Sequence, residues 1–195
     1  MSDRPQIGIF GGSFDPIHVG HLALANYICE FEQLDELWFM LTPQNPLKAE
    51  EAGATEEQRL ELIQLAIQGY SRFKASDFEL HLPPPYYTAK TLEALRNQHT
   101  DKEFILIIGS DNWRNFSQWK DPQEIKKHHN ILIYPRTNFP IEQSKLPKGI
   151  RLINSPIFEV SSTLIREAFS QGIDLPYFLH PEVYKAIKKK GLYLK

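Results

Sequence analysis

The chain has 195 residues, 42% of them hydrophobic and 24% charged, with 22 Lys and Arg against 24 Asp and Glu for a formal net charge of −2. That length holds one domain with a sizeable core, and the composition excludes a disordered chain. The near-neutral balance argues against a protein that grips nucleic acid by bulk charge. No window approaches the ~18–20 consecutive apolar residues of a membrane span, and Met1 to Phe10 lacks the apolar core of a signal peptide, so a cytoplasmic protein without membrane contact is expected. Cys29, the single cysteine, excludes an intramolecular disulfide and any Cys-based zinc site, and its apolar helical setting reads as core.

In chain order, short apolar and β-branched runs predict strands at Gln6–Phe10, Glu36–Leu41, Phe73–Leu80, Phe104–Ile108, Ile131–Tyr134 and Arg151–Ile153. Helical patterns fall at His18–Glu32, Thr55–Gly69, Thr88–Gln98 and Pro122–His128, followed after the last strand by Ser161–Ser170 and Pro181–Lys190. Runs such as Ile105-Leu106-Ile107-Ile108 are apolar on both faces, which parallel strands covered by helices on both sides require. The expected fold is therefore an α/β, doubly wound parallel sheet. Residues 1–195 read as one domain, with 161–195 as a C-terminal helical subdomain packed on it. Asn138–Gly149, rich in proline and alternating charge, reads as a surface loop, and Lys126-Lys127-His128-His129 as a solvated helix end.

The segment Gly11-Gly12-Ser13-Phe14-Asp15-Pro16-Ile17-His18-Val19-Gly20-His21 joins the first strand to the first helix, where open α/β sheets bind ligands. Adjacent glycines allow close backbone approach, and the helix start offers free N–H groups and the positive dipole end to an anion. His18 and His21, three residues apart, share a helix face, and Gly20 beside them is expected to leave room for a ligand. Dinucleotide-binding, Walker A and hydrolase-elbow patterns all fail at this turn. The histidines can be metal ligands, solvated helix residues or phosphate donors. With no third ligand nearby in sequence, and a helix start that favours anions, phosphate handling ranks first. A second anion nest follows at Val160-Ser161-Ser162-Thr163-Leu164-Ile165-Arg166, where Ser161 or Ser162 can cap a helix whose first turn carries Arg166.

Gly11 to His21 resembles the signature of the nucleotidyltransferase superfamily with the His-x-Gly-His motif, and the second nest resembles the superfamily's triphosphate-binding Ser-Ser/Thr-x-x-Ile-Arg element. The resemblance implies a Rossmann-like nucleotidyltransferase fold. Pro43-Gln44-Asn45-Pro46-Leu47-Lys48, Arg59, Tyr87-Thr88 with Thr91-Leu92, Ile108-Gly109-Ser110-Asp111-Asn112 with Phe116 and Trp119, and Gly191-Leu192-Tyr193 are similar to the nicotinate mononucleotide adenylyltransferases. That likeness implies adenylyl transfer from ATP to nicotinate mononucleotide, giving deamido-NAD and pyrophosphate, a step of NAD biosynthesis. It assigns catalysis to His18, His21, Arg166 and Lys48. ATP would be bound by Gly11, Ser13, Phe14, Gly109, Asp111, Ile157, Phe158, Ser161, Ser162 and Thr163, and the mononucleotide by Gly12, Ser13, Thr88 and Trp119. Mg²⁺ would arrive with ATP, and no protein metal site is implied.

The family pattern has Ser and Asp where this chain has Tyr86 and Lys90, beside Pro83-Pro84-Pro85 and close to the expected nicotinyl pocket. These departures bear on the choice between acid and amide nucleotide. An adenylyltransferase for nicotinamide mononucleotide or another phosphorylated acceptor, and a non-catalytic nucleotide sensor, are the competing functions. Oligomeric state stays open, a homo-oligomer included.

Overall fold

The computed structural model describes residues 4–43 and 53–194. Six strands, β1 (Gln6–Gly12), β2 (Glu36–Leu41), β3 (Phe73–Ser76), β4 (Glu103–Gly109), β5 (Ile131–Tyr134) and β6 (Ile150–Leu152), form one sheet in the order β3-β2-β1-β4-β5-β6. Every pairing is parallel. The order reverses between β1 and β4, so the crevice beyond their carboxyl ends is the topological switch point of a doubly wound fold.

Strand residues alternate strictly between two cores, as a period of two requires of a sheet buried on both sides. Phe10, Leu37, Phe39, Leu41, Ile105, Ile107 and Leu132 face one core, shared with α1 (Val19–Phe31), α2 (Glu56–Ala66), α6 (Ser162–Ser170) and α7 (Pro181–Lys190). Ile7, Ile9, Met40, Leu106, Ile108, Ile131 and Ile133 face the other, covered by α3 (Thr88–Gln98) and α5 (Pro122–His128). The C-terminal helices thus share the core of α1 and α2, through Ile165, Phe169, Val183 and Ile187. Cys29 is fully buried there, and burial pushes its thiol up to about 11, as suits a packing residue.

Three local expectations change. The predicted third strand stops at Ser76, because it is an edge strand whose only partner, β2, pairs with it over Leu37 to Met40. Residues Phe78–His81 instead form a 3₁₀ turn that places Glu79 inside. A helical turn, α4 (Ser110–Arg114), follows β4 directly, where the sequence pattern predicts no helix. Finally, the Lys126–His129 run is not wholly solvated: His129 is buried and its Nδ1 meets the Phe104 carbonyl at 3.0 Å.

Candidate active site

β1 delivers the chain to the switch point, and the turn that follows is held in an uncommon conformation. Phe14 has φ +47°, a left-handed geometry that a bulky side chain adopts at a cost, and its ring is 2% exposed. It packs edge-on against His21 at 5.1 Å and against Phe10 and Phe39. The Phe14 side chain is therefore a wall behind the histidines and lines none of the cavities beside them.

His18 is the N-cap of α1. Its Nδ1 accepts the His21 backbone N–H at 3.3 Å, and the His21 Nδ1 accepts the His18 N–H at the same distance, so each imidazole caps the other's amide. The rings stack at 3.6 Å. Because both Nδ1 atoms are acceptors, both rings carry their proton on Nε2 and present neutral N–H donors to the crevice. Burial, with help from Arg136, lowers His18 to about 4; burial, His18 and Arg136 hold His21 well below the ordinary imidazole range. Gly20 lines the cavity beside the histidines, and a Cβ there would crowd the His18 ring at 3.2 Å and Val160 at 3.3 Å. Glycine at this position lets α1 lie against the segment leading into α6.

The histidines carry a consequence for pH. An unfolded imidazole titrates near 6.5, so between that pH and about 4 the unfolded chain binds a proton that folded His18 refuses. Stability is full above the unfolded pKa and falls with pH through this window, by about 3 kcal/mol from His18. Urea midpoints measured from pH 7.5 to 4.5 should fall accordingly. His18→Asn, which keeps a good N-cap without a titrating ring, should flatten that slope.

Two cavities lie back to back at the switch point. One, of about 200 Å³, is lined by His18, Gly20, His21, Arg136, Pro156, Phe158, Ser161 and Ser162 among others. The other, of about 280 Å³, is lined by Gly11, Gly12, Glu79, Thr88, Thr91, Gly109, Asn112 and Trp119 among others. Phe10 and Tyr134, edge to face at 6.0 Å, line both and form the partition between them. A third hollow of about 310 Å³, walled by Asp111, Ile157 and Phe158, shares Arg136 and Phe158 with the first. A Cβ at Gly109 would collide with the Asp111 carboxylate, so glycine is what lets that side chain fold back over the end of β4.

Ser161 caps α6, its Oγ accepting the Leu164 N–H at 3.1 Å, while the Ser162 Oγ donates to the Pro16 carbonyl at 2.9 Å. Thr163 is exposed and does not line the cavities. Arg166 is half-buried, with Nη1 donating to the Asp15 carbonyl at 2.8 Å, so it braces the first turn from the second nest. Ser13 is exposed beside the glycines. Lys48 and the loop that carries it beyond Pro43 lie outside the described residues. Arg59 is fully buried and structural: Nη1 donates to the Ser13 carbonyl at 2.6 Å and to the Thr42 carbonyl at 3.0 Å, tying the turn to the end of β2.

Sequence reasoning missed Arg136 and Glu79. The Arg136 backbone N–H donates to the Ser110 Oγ at 2.9 Å, its guanidinium lies over the Tyr134 ring, and it brings a cation to the histidine cavity. An Arg two residues beyond a buried strand was the available signal. Glu79 is 5% exposed in the wall of the second cavity, accepts the Thr91 hydroxyl at 2.6 Å, and is pushed upward by burial. Tyr86 and Lys90, the family departures, do not line that cavity; the Lys90 ammonium lies over the exposed Tyr87 ring instead.

A parallel sheet with two helix starts on one side of its switch point and an aromatic cavity on the other is the apparatus of a nucleotidyltransferase. Residues 9–168 match the family model described as cytidylyltransferase-like, and the chain belongs to that family. It is 55% identical over 184 residues, covering 94% of this chain and 92% of the other, to a protein of Bacteroides fragilis named "Probable nicotinate-nucleotide adenylyltransferase". It is 40% identical to a protein of the same name from Flavobacterium johnsoniae, across 97% of this chain and all of that one. The solved nicotinic acid mononucleotide adenylyltransferase of Plasmodium falciparum, complexed with NaAD, superposes with a TM-score of 0.79 at 25% identity, over 97% of each chain.

Proposed function

We propose that this protein is a nicotinate-nucleotide adenylyltransferase, joining ATP and nicotinate mononucleotide to deamido-NAD with release of pyrophosphate in the cytoplasm. The observation that carries this reading is the pair of cavities set back to back across Phe10 and Tyr134, one faced by the histidine pair and the other by Trp119. ATP lies on the histidine side, its adenosine towards Asp111, Ile157 and Phe158. The mononucleotide lies on the Trp119 side with its phosphate at Gly11 to Ser13. Its 5′-phosphate attacks the α-phosphorus in line, and pyrophosphate leaves.

The nucleophile is already ionised at neutral pH, so no covalent intermediate and no strong base are needed; catalysis is positioning plus charge stabilisation. The Nε2–H groups of His18 and His21 donate to the phosphates as charge gathers on their oxygens. Arg136 supplies the nearby positive charge, and Lys48 and Arg166 serve the β- and γ-phosphates. Mg²⁺ enters as part of the ATP substrate, held by phosphate oxygens and water. Glu79, whose carboxyl is pushed upward by burial, stands with Thr88 and Trp119 in the wall of the mononucleotide cavity.

Pyrophosphate release with each mononucleotide tests this substrate choice. Nicotinate mononucleotide should give a kcat/KM at least tenfold above that of nicotinamide mononucleotide. Equal values would overturn the acid preference, and release with neither would point to another phosphorylated acceptor.

A further inference from the structure

The turn Asp15–Pro16 joins the two helix starts: it leads into α1 and accepts side-chain hydrogen bonds from α6. It leads into the His18 cap on one side. On the other, the Ser162 Oγ donates to the Pro16 carbonyl and the Arg166 Nη1 to the Asp15 carbonyl. With Phe14 held at φ +47° just before it, this turn has a conformation that persists only if its surroundings fix it.

What fixes it comes from far along the chain. The Asp15 Oδ1 accepts the Tyr193 hydroxyl at 2.7 Å and the Ala54 N–H at 3.1 Å. Tyr193 lies in the segment after α7, buried at 9% exposure, beyond Gly191 whose left-handed φ of +63° ends that helix. Burial and the Asp15 charge raise its phenol, so it remains a donor at any working pH. A Cβ at Gly53 would collide with the Asp15 carboxylate, so the approach to α2 is fitted to this side chain. The buried Arg59 holds the neighbouring Ser13 carbonyl from beneath.

We propose that Asp15 and Tyr193 are positioning residues: their hydrogen bond clamps the Asp15–Pro16 turn and so sets the distance between the histidine pair on α1 and the Ser162–Arg166 nest on α6. Neither side chain lines the cavities described above, so their effect on the reaction runs through the turn. Since a triphosphate spans both nests, a loosened clamp weakens contacts that must tighten together in the transition state. The mononucleotide cavity lies across the Phe10–Tyr134 partition and is left alone.

The test rests on the adenylyltransferase reading and uses the full chain with ATP and nicotinate mononucleotide. Tyr193→Phe, which removes only the hydroxyl, should lower kcat about tenfold while KM for the mononucleotide stays within twofold. Asp15→Ala, which removes both hydrogen bonds, should lower kcat at least as far. Val183→Ala is the control: it lowers the melting temperature by weakening the docking of α7 in the same core, and kcat at 25 °C stays within twofold of the parent protein. A Tyr193→Phe kcat within twofold of the parent would overturn the proposal, as would an equal loss of kcat in Val183→Ala. An inactive parent protein would instead count against the adenylyltransferase reading itself.

Discussion

His21→Ala should lower kcat by about a hundredfold to a thousandfold, the range seen when one preorganised donor to a developing oxyanion is removed, and should raise neither KM by more than a few fold. The asymmetry follows from where the contact acts. A neutral Nε2–H makes a modest hydrogen bond to a ground-state phosphate and a stronger one once charge has gathered on the oxygen. The geometry needs no rearrangement for this, because the His18–His21 capping pair and the Phe14 ring already fix the imidazole. His21→Ala also removes the acceptor for the His18 N–H, which costs about 1 kcal/mol of stability and should appear as a small fall in melting temperature. Steady-state kinetics on folded protein separate the two effects, and a near-normal kcat would remove His21 from the mechanism.

Trp119→Ala should raise KM for the mononucleotide about tenfold to a hundredfold while leaving KM for ATP within twofold. An aromatic ring stacked on a heterocycle contributes about 1–3 kcal/mol when judged by truncation to Ala. Trp119 stands in the wall of the 280 Å³ cavity, leaning on Phe116 at 5.1 Å, which itself stacks on Trp113 at 5.0 Å. None of these three rings lines the histidine cavity. An effect on ATP alone would mean that the two substrates have been assigned to the wrong sides of the partition.

The parts of the fold legible in the sequence are those whose pattern is local. β4 and β5 read as strands because residues such as Ile105 to Ile108 are apolar on both faces, and the sheet buries both. The end of β3 was not legible, since a strand ends where its partner does, and the pairing of Phe73–Ser76 with β2 is a tertiary fact. The same divide runs through the site. His18, His21, Ser161 and Ser162 stand at strand-to-helix turns and announce themselves by position. Arg136 and Glu79 matter only because the switch point and a 3₁₀ turn bring them to the crevice. Tyr193 is carried to Asp15 across the whole length of the chain. Arg166 falls on the predicted helix, one turn further in than its first turn, and its brace on the Asp15 carbonyl has no signature in the sequence.

Adenylyl transfer to nicotinate mononucleotide is the central claim, and the fate of labelled ATP tests it most directly. With ATP labelled at the α-phosphorus, label should pass into deamido-NAD in step with mononucleotide consumed, and with ATP labelled at the γ-phosphorus it should appear in pyrophosphate in equal amount. Label found in inorganic phosphate, or ATP bound but left intact beside the mononucleotide, would contradict the claim and leave a hydrolase or a nucleotide sensor in its place.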